Sequence, residues 1–290
     1  MDARSQWVNT SDQQRLFVKT WGSNKQPALI LVHGYPDHQE VWEPLIQYLK
    51  HDFFVISYDV RGAGKSSIPR KIRDYRLPRL SLDLDEVATA VLGKRPFHLV
   101  AHDWGSIQSW ESVTEPAFRN RILSFNTISG PCLDHAAFWM REQFGQHKTR
   151  FFKQLSKSWY IVMFQLPFLA PTVWSFFKPE WWGGVIEKLE NKTNLPLNSN
   201  IQHDGKHGVN LYRANFLPRL AHPRVRHAVC PVQAIVLQQD NFVSPALIDE
   251  VPKWVDDFSR VDVDANHWAI LSQPEKIAQL VHLFIQKKSL

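Results

Sequence analysis

A chain of 290 residues has ample length to bury a core and, against roughly 100–200 residues per domain, reads as one large domain or a core carrying an insertion. Hydrophobic residues at 44%, charged residues at 21%, twelve Gly and eighteen Pro exclude disordered, collagenous and low-complexity chains. The net charge of +6 is a mild excess that suits acidic partners or membrane surfaces and falls short of a nucleic-acid signature.

Cys132 and Cys230 are the only cysteines, too few for a disulfide framework or a cysteine-rich zinc site. A reducing compartment fits. The first residues, Met1 to Val8, lack a basic segment followed by an apolar run, so a cytoplasmic location is expected rather than secretion.

Short apolar runs closed by Gly, Asp or Pro alternate with longer segments of helical period, the pattern of parallel strands joined by crossover helices. Residues 15–20 are expected to form an antiparallel strand ahead of the parallel set. Runs 28–32, 53–57, 97–101 and 122–126, then 232–237 and 260–263, all read as buried strands. Residues 80–92 and 274–286 have helical spacing, the latter placing Ile277, Leu280, Val281 and Phe284 on one face. The basic run 70–79, with five Lys or Arg in ten, reads as a solvated connection before the first of these helices.

The rhythm stops near Pro131 and resumes near Pro231. Between them lies an insertion rich in aromatics, including Trp139, Trp159, Trp174, Trp181 and Trp182. The expected division is a core of residues 1–133 and 223–290 and a helical cap of residues 134–222. Residues 160–177 approach the ~18-residue length of a membrane span, but Gln165, Pro167, Pro171 and Ser175 interrupt them. Buried short helices are therefore expected instead of a transmembrane segment, with peripheral membrane contact as the minor alternative. His203 and His207 flank an internal Gly205 and read as a solvated loop, so no metal site is expected.

The sharpest local signal is an apolar strand running into Ala101-His102-Asp103-Trp104-Gly105-Ser106. A strained strand-to-helix corner tolerates only small flanking residues, here Ala101 and Gly105, and lifts its central side chain above the sheet. Asp103 is thus a candidate nucleophile, and the Trp104 backbone N–H a candidate half of an oxyanion hole. Taken alone, the same residues fit an Asp that caps a helix equally well. Upstream, His33-Gly34-Tyr35-Pro36 ends another strand and is suited to turning the Tyr35 N–H toward the same point. Gly64-Lys65-Ser66 resembles a phosphate loop, but that motif needs Gly at position 59, which is Asp. Gly62 and Gly64 instead suit a tight turn.

With these motifs in this order, His33-Gly34-Tyr35-Pro36, then Asp59-x-Arg61-Gly62-x-Gly64-x-Ser66, then His102-Asp103-Trp104-Gly105, the chain resembles the α/β-hydrolase superfamily and its epoxide hydrolase branch. The resemblance implies a mostly parallel sheet with flanking helices and an inserted cap. It extends to Asp240, which would orient His267, and to His267 as base, in the chain order nucleophile, acid, His. Asp134 is the fallback acid. Two cap segments resemble those that carry proton-donating tyrosines, which makes Tyr160 and Tyr212 the candidate donors to an epoxide oxygen.

The implied chemistry needs neither metal nor organic cofactor. Carboxylate attack on a saturated carbon gives an alkyl ester, which water activated by His267 would cleave while the N–H groups of Tyr35 and Trp104 hold the oxyanion. The implied substrate is a small apolar epoxide, opened to a vicinal diol, in keeping with detoxification or catabolism. Haloalkane dehalogenases share the template and grip halide with the Trp after the nucleophile, yet place Asn where this chain has Tyr35. A non-catalytic binding protein on the same fold is the remaining alternative, and a homodimer is left open.

Overall fold

A computed structural model describes residues 3–196 and 198–288 of the protein. Positions 1, 2, 197, 289 and 290 of the expected core and cap spans lie outside the described residues. Among those described, eight strands form one sheet: β1 (Arg4–Asn9), β2 (Arg15–Trp21), β3 (Ala28–Val32), β4 (Phe54–Tyr58), β5 (Phe97–His102), β6 (Ile122–Ile128), β7 (Val232–Leu237) and β8 (Phe258–Val263). Their order is β1-β2-β4-β3-β5-β6-β7-β8. β1 with β2 and β2 with β4 are antiparallel, and the remaining pairs are parallel.

Helices cover both faces, which is why β3, β4, β5 and β7 are mostly apolar and fully buried. Side chains alternate between two cores. From β3, Ile30 and Val32 pack with Leu84 and Val87 of α2 (Leu77–Leu92) and Trp110 of α3 (Trp104–Val113). Leu29 and Leu31 face the other way, toward Leu45 and Ile46 of α1 (Glu43–Leu49) and Val281 of the C-terminal helix Pro274–Lys288. Two edges depart from expectation. β8 is only partly buried because it has one strand neighbour and no full cover, and β1, polar and mostly exposed, carries no apolar alternation to betray it. α2 starts at Leu77, earlier than expected, with Pro78 in its first turn, where a missing N–H costs nothing. The exposed basic residues before it do form a solvated connection, with a 3-10 turn at Ile72–Tyr75.

Between β6 and β7 the chain forms α4 (Leu133–Gln146), α5 (Lys148–Lys157), α6 (Trp159–Phe164), α7 (Leu169–Val173), α8 (Pro179–Glu190) and α9 (Ile201–Ala221). After β8 come α10 (Ala269–Ser272) and α11 (Pro274–Lys288). No described helix is long and apolar enough to cross a membrane. The segment 160–177 does break into short helices, as its prolines require, but it is not buried: Phe168 is 85% and Phe176 80% exposed. Helices of five or six residues offer too narrow a face to bury every apolar side chain they carry.

The expected loop at 203–207 is also corrected. These residues lie within α9, where Gly205 and Gly208 leave the helix surface bare enough for the rings of Trp174 and Tyr35 to lie against it. Tertiary packing here outweighs the low helix propensity of Gly. Asp204, beside them, is buried and accepts hydrogen bonds from the Gly64 N–H at 2.9 Å and His38 Nδ1 at 2.8 Å. Among the described residues no cluster of His, Cys, Asp or Glu is arranged to hold a metal ion.

Candidate active site

The turn from β5 into α3 holds Asp103 at φ 50° and ψ −122°, a backbone conformation that L-residues rarely adopt. Neighbouring strands and the helix enforce it: the Asp103 N–H donates to the Ile128 carbonyl at 2.9 Å, and its carbonyl accepts from Ile107 at 2.9 Å. The crossing loop presses close. A Cβ on Gly34 would stand 2.6 Å from Asp103 Cβ and Oδ1, so only glycine allows the next peptide to reach the carboxylate.

That peptide belongs to Tyr35, whose N–H donates to Asp103 Oδ1 at 2.7 Å. The Trp104 N–H at the start of α3 donates to the same carboxylate. His33 locks the loop by accepting the Val60 N–H at Nε2, 2.9 Å, which leaves Nδ1–H to donate to the Gly34 carbonyl at 2.9 Å. The Pro36 carbonyl accepts from Asn198 at 3.0 Å. Asp59 and Arg61 of the second motif serve the scaffold. Asp59 takes the N–H groups of Gln39 and Lys65, while Arg61 bridges buried Asp83 and Asp12.

From the loops after β7 and β8 come Asp240 and His267. His267 Nδ1 lies 3.1 Å from Asp240 Oδ2, and its Nε2 lies 3.6 Å from Asp103 Oδ2. Asp240 also accepts the N–H groups of Phe242 and Val243 at 2.8 and 3.0 Å, which fixes its carboxylate. Asp134 is elsewhere, bound to Arg224 at 2.8 and 2.9 Å. Burial works against a charged His267 ring, but Asp240, Asp103 and Asp37 outweigh it and lift the pKa to about 9. Burial raises Asp103, and the His267 ring and the two N–H donors oppose that rise. Asp240 is the reverse case, since His267 and the N–H donors more than offset burial and hold it below the usual carboxylate range.

A cavity of about 290 Å³ opens onto Asp103 and His267, and both Tyr160 and Tyr212 line it. Burial raises both phenols far from ionisation, with Asp103 adding to the effect, so each is a neutral O–H donor. The rest of the wall is largely aromatic, from Phe164, Trp174, Phe177 and Trp182 to Phe242 and Trp268. The Trp104 ring does not line the cavity and lies edge-on to Tyr212 with centroids 4.8 Å apart. The Tyr35 hydroxyl donates to the Gly205 carbonyl at 3.0 Å. A larger surface cleft, about 720 Å³ beside β1 and β2, contains none of these groups.

A family model for the alpha/beta hydrolase fold matches residues 27–274. The chain belongs to the α/β-hydrolase fold family. Among the α/β-hydrolase relatives, a Mycobacterium tuberculosis protein named probable oxidoreductase EphD is 30% identical over 97% of this chain, which spans about half (49%) of that protein's length. Human epoxide hydrolase 4 is 23% identical, covering 92% of this chain and 75% of that one. Of solved structures, a Bacillus megaterium epoxide hydrolase variant bound to its product, (R)-3-[1]naphthyloxy-propane-1,2-diol, superposes with a TM-score of 0.79 at 20% identity, covering 97% and 100% of the two chains. The Vigna radiata epoxide hydrolase VrEH1 gives 0.75 at 20% identity, with 98% of each chain covered.

Three contributors were not legible in the motifs. Asp37 accepts the Trp268 indole N–H at 2.9 Å, and burial pushes its pKa up to about 6. Glu190 at the end of α8 accepts the Trp268 backbone N–H at 2.7 Å and the Ser272 hydroxyl at 2.6 Å, pinning the loop that carries His267. Phe242 lays its ring against His267, with centroids 5.0 Å apart. Asp37 and Phe242 lie close to motif residues in the sequence, and Glu190 has no such signal.

Proposed function

We propose that this chain hydrolyses small apolar epoxides to vicinal diols through an ester formed on Asp103, with residues 134–222 acting as a cap over a core of residues 1–133 and 223–290. The observation that carries this reading is the cavity itself, where two neutral phenols share the wall with Asp103 and His267. An epoxide oxygen stays attached to the carbon skeleton when the ring opens and needs a proton, which phenols supply. A departing halide needs N–H donors on the cavity wall, whereas the Trp104 ring is not part of that wall and lies edge-on to Tyr212. The names of human epoxide hydrolase 4 and of the Bacillus megaterium structure point the same way.

The two oxygens of Asp103 have separate tasks. Oδ1 is held by the Tyr35 N–H, whereas Oδ2 faces His267 and attacks. A bond forms from Oδ2 to a substrate carbon, the ring C–O bond breaks, and Tyr160 or Tyr212 donates its proton to the released oxygen. His267 Nε2 then removes a proton from water, the resulting hydroxide adds to Asp103 Cγ, and the oxyanion develops on Oδ1, already in its donor pair. Collapse breaks the ester, the proton on His267 goes to the departing alkoxide, and the proton left on the Asp103 carboxyl returns to the tyrosine phenolate. Water oxygen is left in the Asp103 carboxylate.

At about 290 Å³ the cavity sits at the lower end of the roughly 300–1,000 Å³ range of small-molecule sites. Its aromatic wall suits lipophilic substrates with few polar groups. The test is turnover of an epoxide panel in ¹⁸O-labelled water, followed by mass spectrometry of the peptide containing Asp103. Diol formation with label in that side chain is expected. Halide release from haloalkanes without any diol would replace this reading with a dehalogenase, and absence of both would leave a binding protein.

A further inference from the structure

The exposed apolar side chains are densest in one part of the chain. They gather on α5 to α8, where Phe152, Trp159, Val162, Phe168, Phe176 and Trp181 are all more than half exposed. Single exposed apolar residues are ordinary, whereas a contiguous group marks an interaction surface. The same stretch is electrically distinctive. Residues 148–190, from the start of α5 to the end of α8, hold six Lys or Arg against three Glu, a net +3 of the chain's +6.

This surface is continuous with the cavity. Trp159 is 65% exposed and also lines the cavity, so the mouth opens within the apolar face. On the opposite wall Phe177 lines the cavity and packs edge-on to exposed Trp181, centroids 4.8 Å apart.

We propose that this face docks on an anionic lipid bilayer, with Phe168 and Phe176 entering the boundary between headgroups and acyl chains and exposed Lys148 and Lys178 adding attraction to the lipid charge. Aromatic anchors combined with a basic segment are the pattern that holds a protein in the plane of a membrane surface. Phe168 and Phe176 are more than three-quarters exposed and protrude, as insertion into a soft bilayer requires. A second copy of the chain fits less well, because a two-fold contact would set one net-basic segment against another. The docking stands on these surface features alone. Its consequence, that the cavity mouth meets the phase in which lipophilic epoxides dissolve, rests on the function proposed above.

Flotation of the full chain with phosphatidylcholine vesicles, with and without phosphatidylserine, tests this. Binding is expected with phosphatidylserine and is expected to weaken as salt rises. The double variant Phe168→Ser, Phe176→Ser replaces no cavity-lining residue and should lose vesicle binding by at least roughly tenfold, while its thermal midpoint and its turnover of a water-soluble epoxide stay those of the wild type. Failure of the wild type to float with phosphatidylserine vesicles, or equal binding by the variant, overturns the docking. So does a wild-type dimer in sedimentation that the same variant dissociates, since the face would then be a contact between copies. Vesicle binding with no epoxide turnover leaves the docking intact and removes only the proposed reaction.

Discussion

His267 Nε2 stands 3.6 Å from Asp103 Oδ2, too far for a direct hydrogen bond and near enough for the two charges to govern each other. With Asp103 ionised, the imidazole is held up to about 9 despite burial, because Asp240, Asp103 and Asp37 all favour its charged form. In the proposed reaction, esterification removes the Asp103 charge. The imidazole pKa must then fall, so the base becomes available when the ester awaits water.

The expected outcome is a pH-dependent second step. Ester cleavage should accelerate as pH rises through an apparent pKa below about 9 and then level off, with the adduct accumulating on the acid side. Rapid-quench mass spectrometry of Asp103 across pH measures this directly. His267→Gln should retain the adduct at every pH while turnover falls by roughly 10²–10⁴-fold. An adduct level that does not change with pH would sink the coupling.

In the proposed reaction Tyr160 and Tyr212 act in the opposite half, so their loss should look different. Tyr160→Phe with Tyr212→Phe keeps the rings that pack 6.1 Å apart and removes only the hydroxyls. Turnover should drop by roughly 10²-fold or more with no adduct building up, because ring opening itself is blocked. Either single variant should retain part of the activity. Full diol formation by the double variant would remove both phenols from the mechanism.

Arg61 tests the scaffold and leaves the chemistry aside. Its guanidinium is 1% exposed and meets Asp83 at 2.5 Å and Asp12 at 2.9 Å. Burial pushes Asp83 up to about 6 even with Arg61 beside it, so removing the cation strands a carboxyl in the core. Arg61→Met should lower unfolding free energy by roughly 3–5 kcal/mol, read by denaturant titration. Arg61→Met with Asp83→Leu should recover much of that loss. A single variant as stable as the wild type would show that the pair contributes nothing net.

The sheet was legible because its central strands are buried on both faces and are therefore mostly apolar, as the runs in β3, β5 and β7 are. β1 escaped notice because its residues face water, with Val8 its one buried position. The same logic misled at 160–177, where an apolar run implied burial and the structure exposes Phe168 and Phe176. Asp103, Asp240 and His267 are brought together from separate strand ends, in the order the motifs suggested. The contacts that hold them were not legible, since Trp268 with Asp37 and Tyr35 with Gly205 join residues whose neighbours in sequence say nothing of each other.

One such contact, His38 with Asp204, ties α9 to the loop that carries Tyr35 and predicts how pH acts on the fold. His38 Nδ1 lies 2.8 Å from Asp204 Oδ2, and the Asn198 amide and Gly64 N–H complete the carboxylate's shell. Burial disfavours the charged His38, but Asp204, Asp59 and Glu40 outweigh it and raise it from 6.5 to about 9. Burial likewise disfavours charged Asp204, and His203, His38 and Gly64 lower it from 3.8 to about 2. A raised imidazole contributes stability that is complete below pH 6.5 and gone above about 9. A lowered carboxyl contributes stability complete above its ordinary 3.8 and lost as pH falls through about 2. The contact is therefore strongest between about pH 4 and 6.5. The thermal midpoint of the wild type minus that of His38→Gln should be largest in that window and shrink steadily as pH rises toward 9. Gln can still donate a hydrogen bond, so any difference that remains above pH 9 reports shape and packing. A difference that stays constant from pH 5 to pH 10 would mean that the charge on His38 does not hold α9 in place.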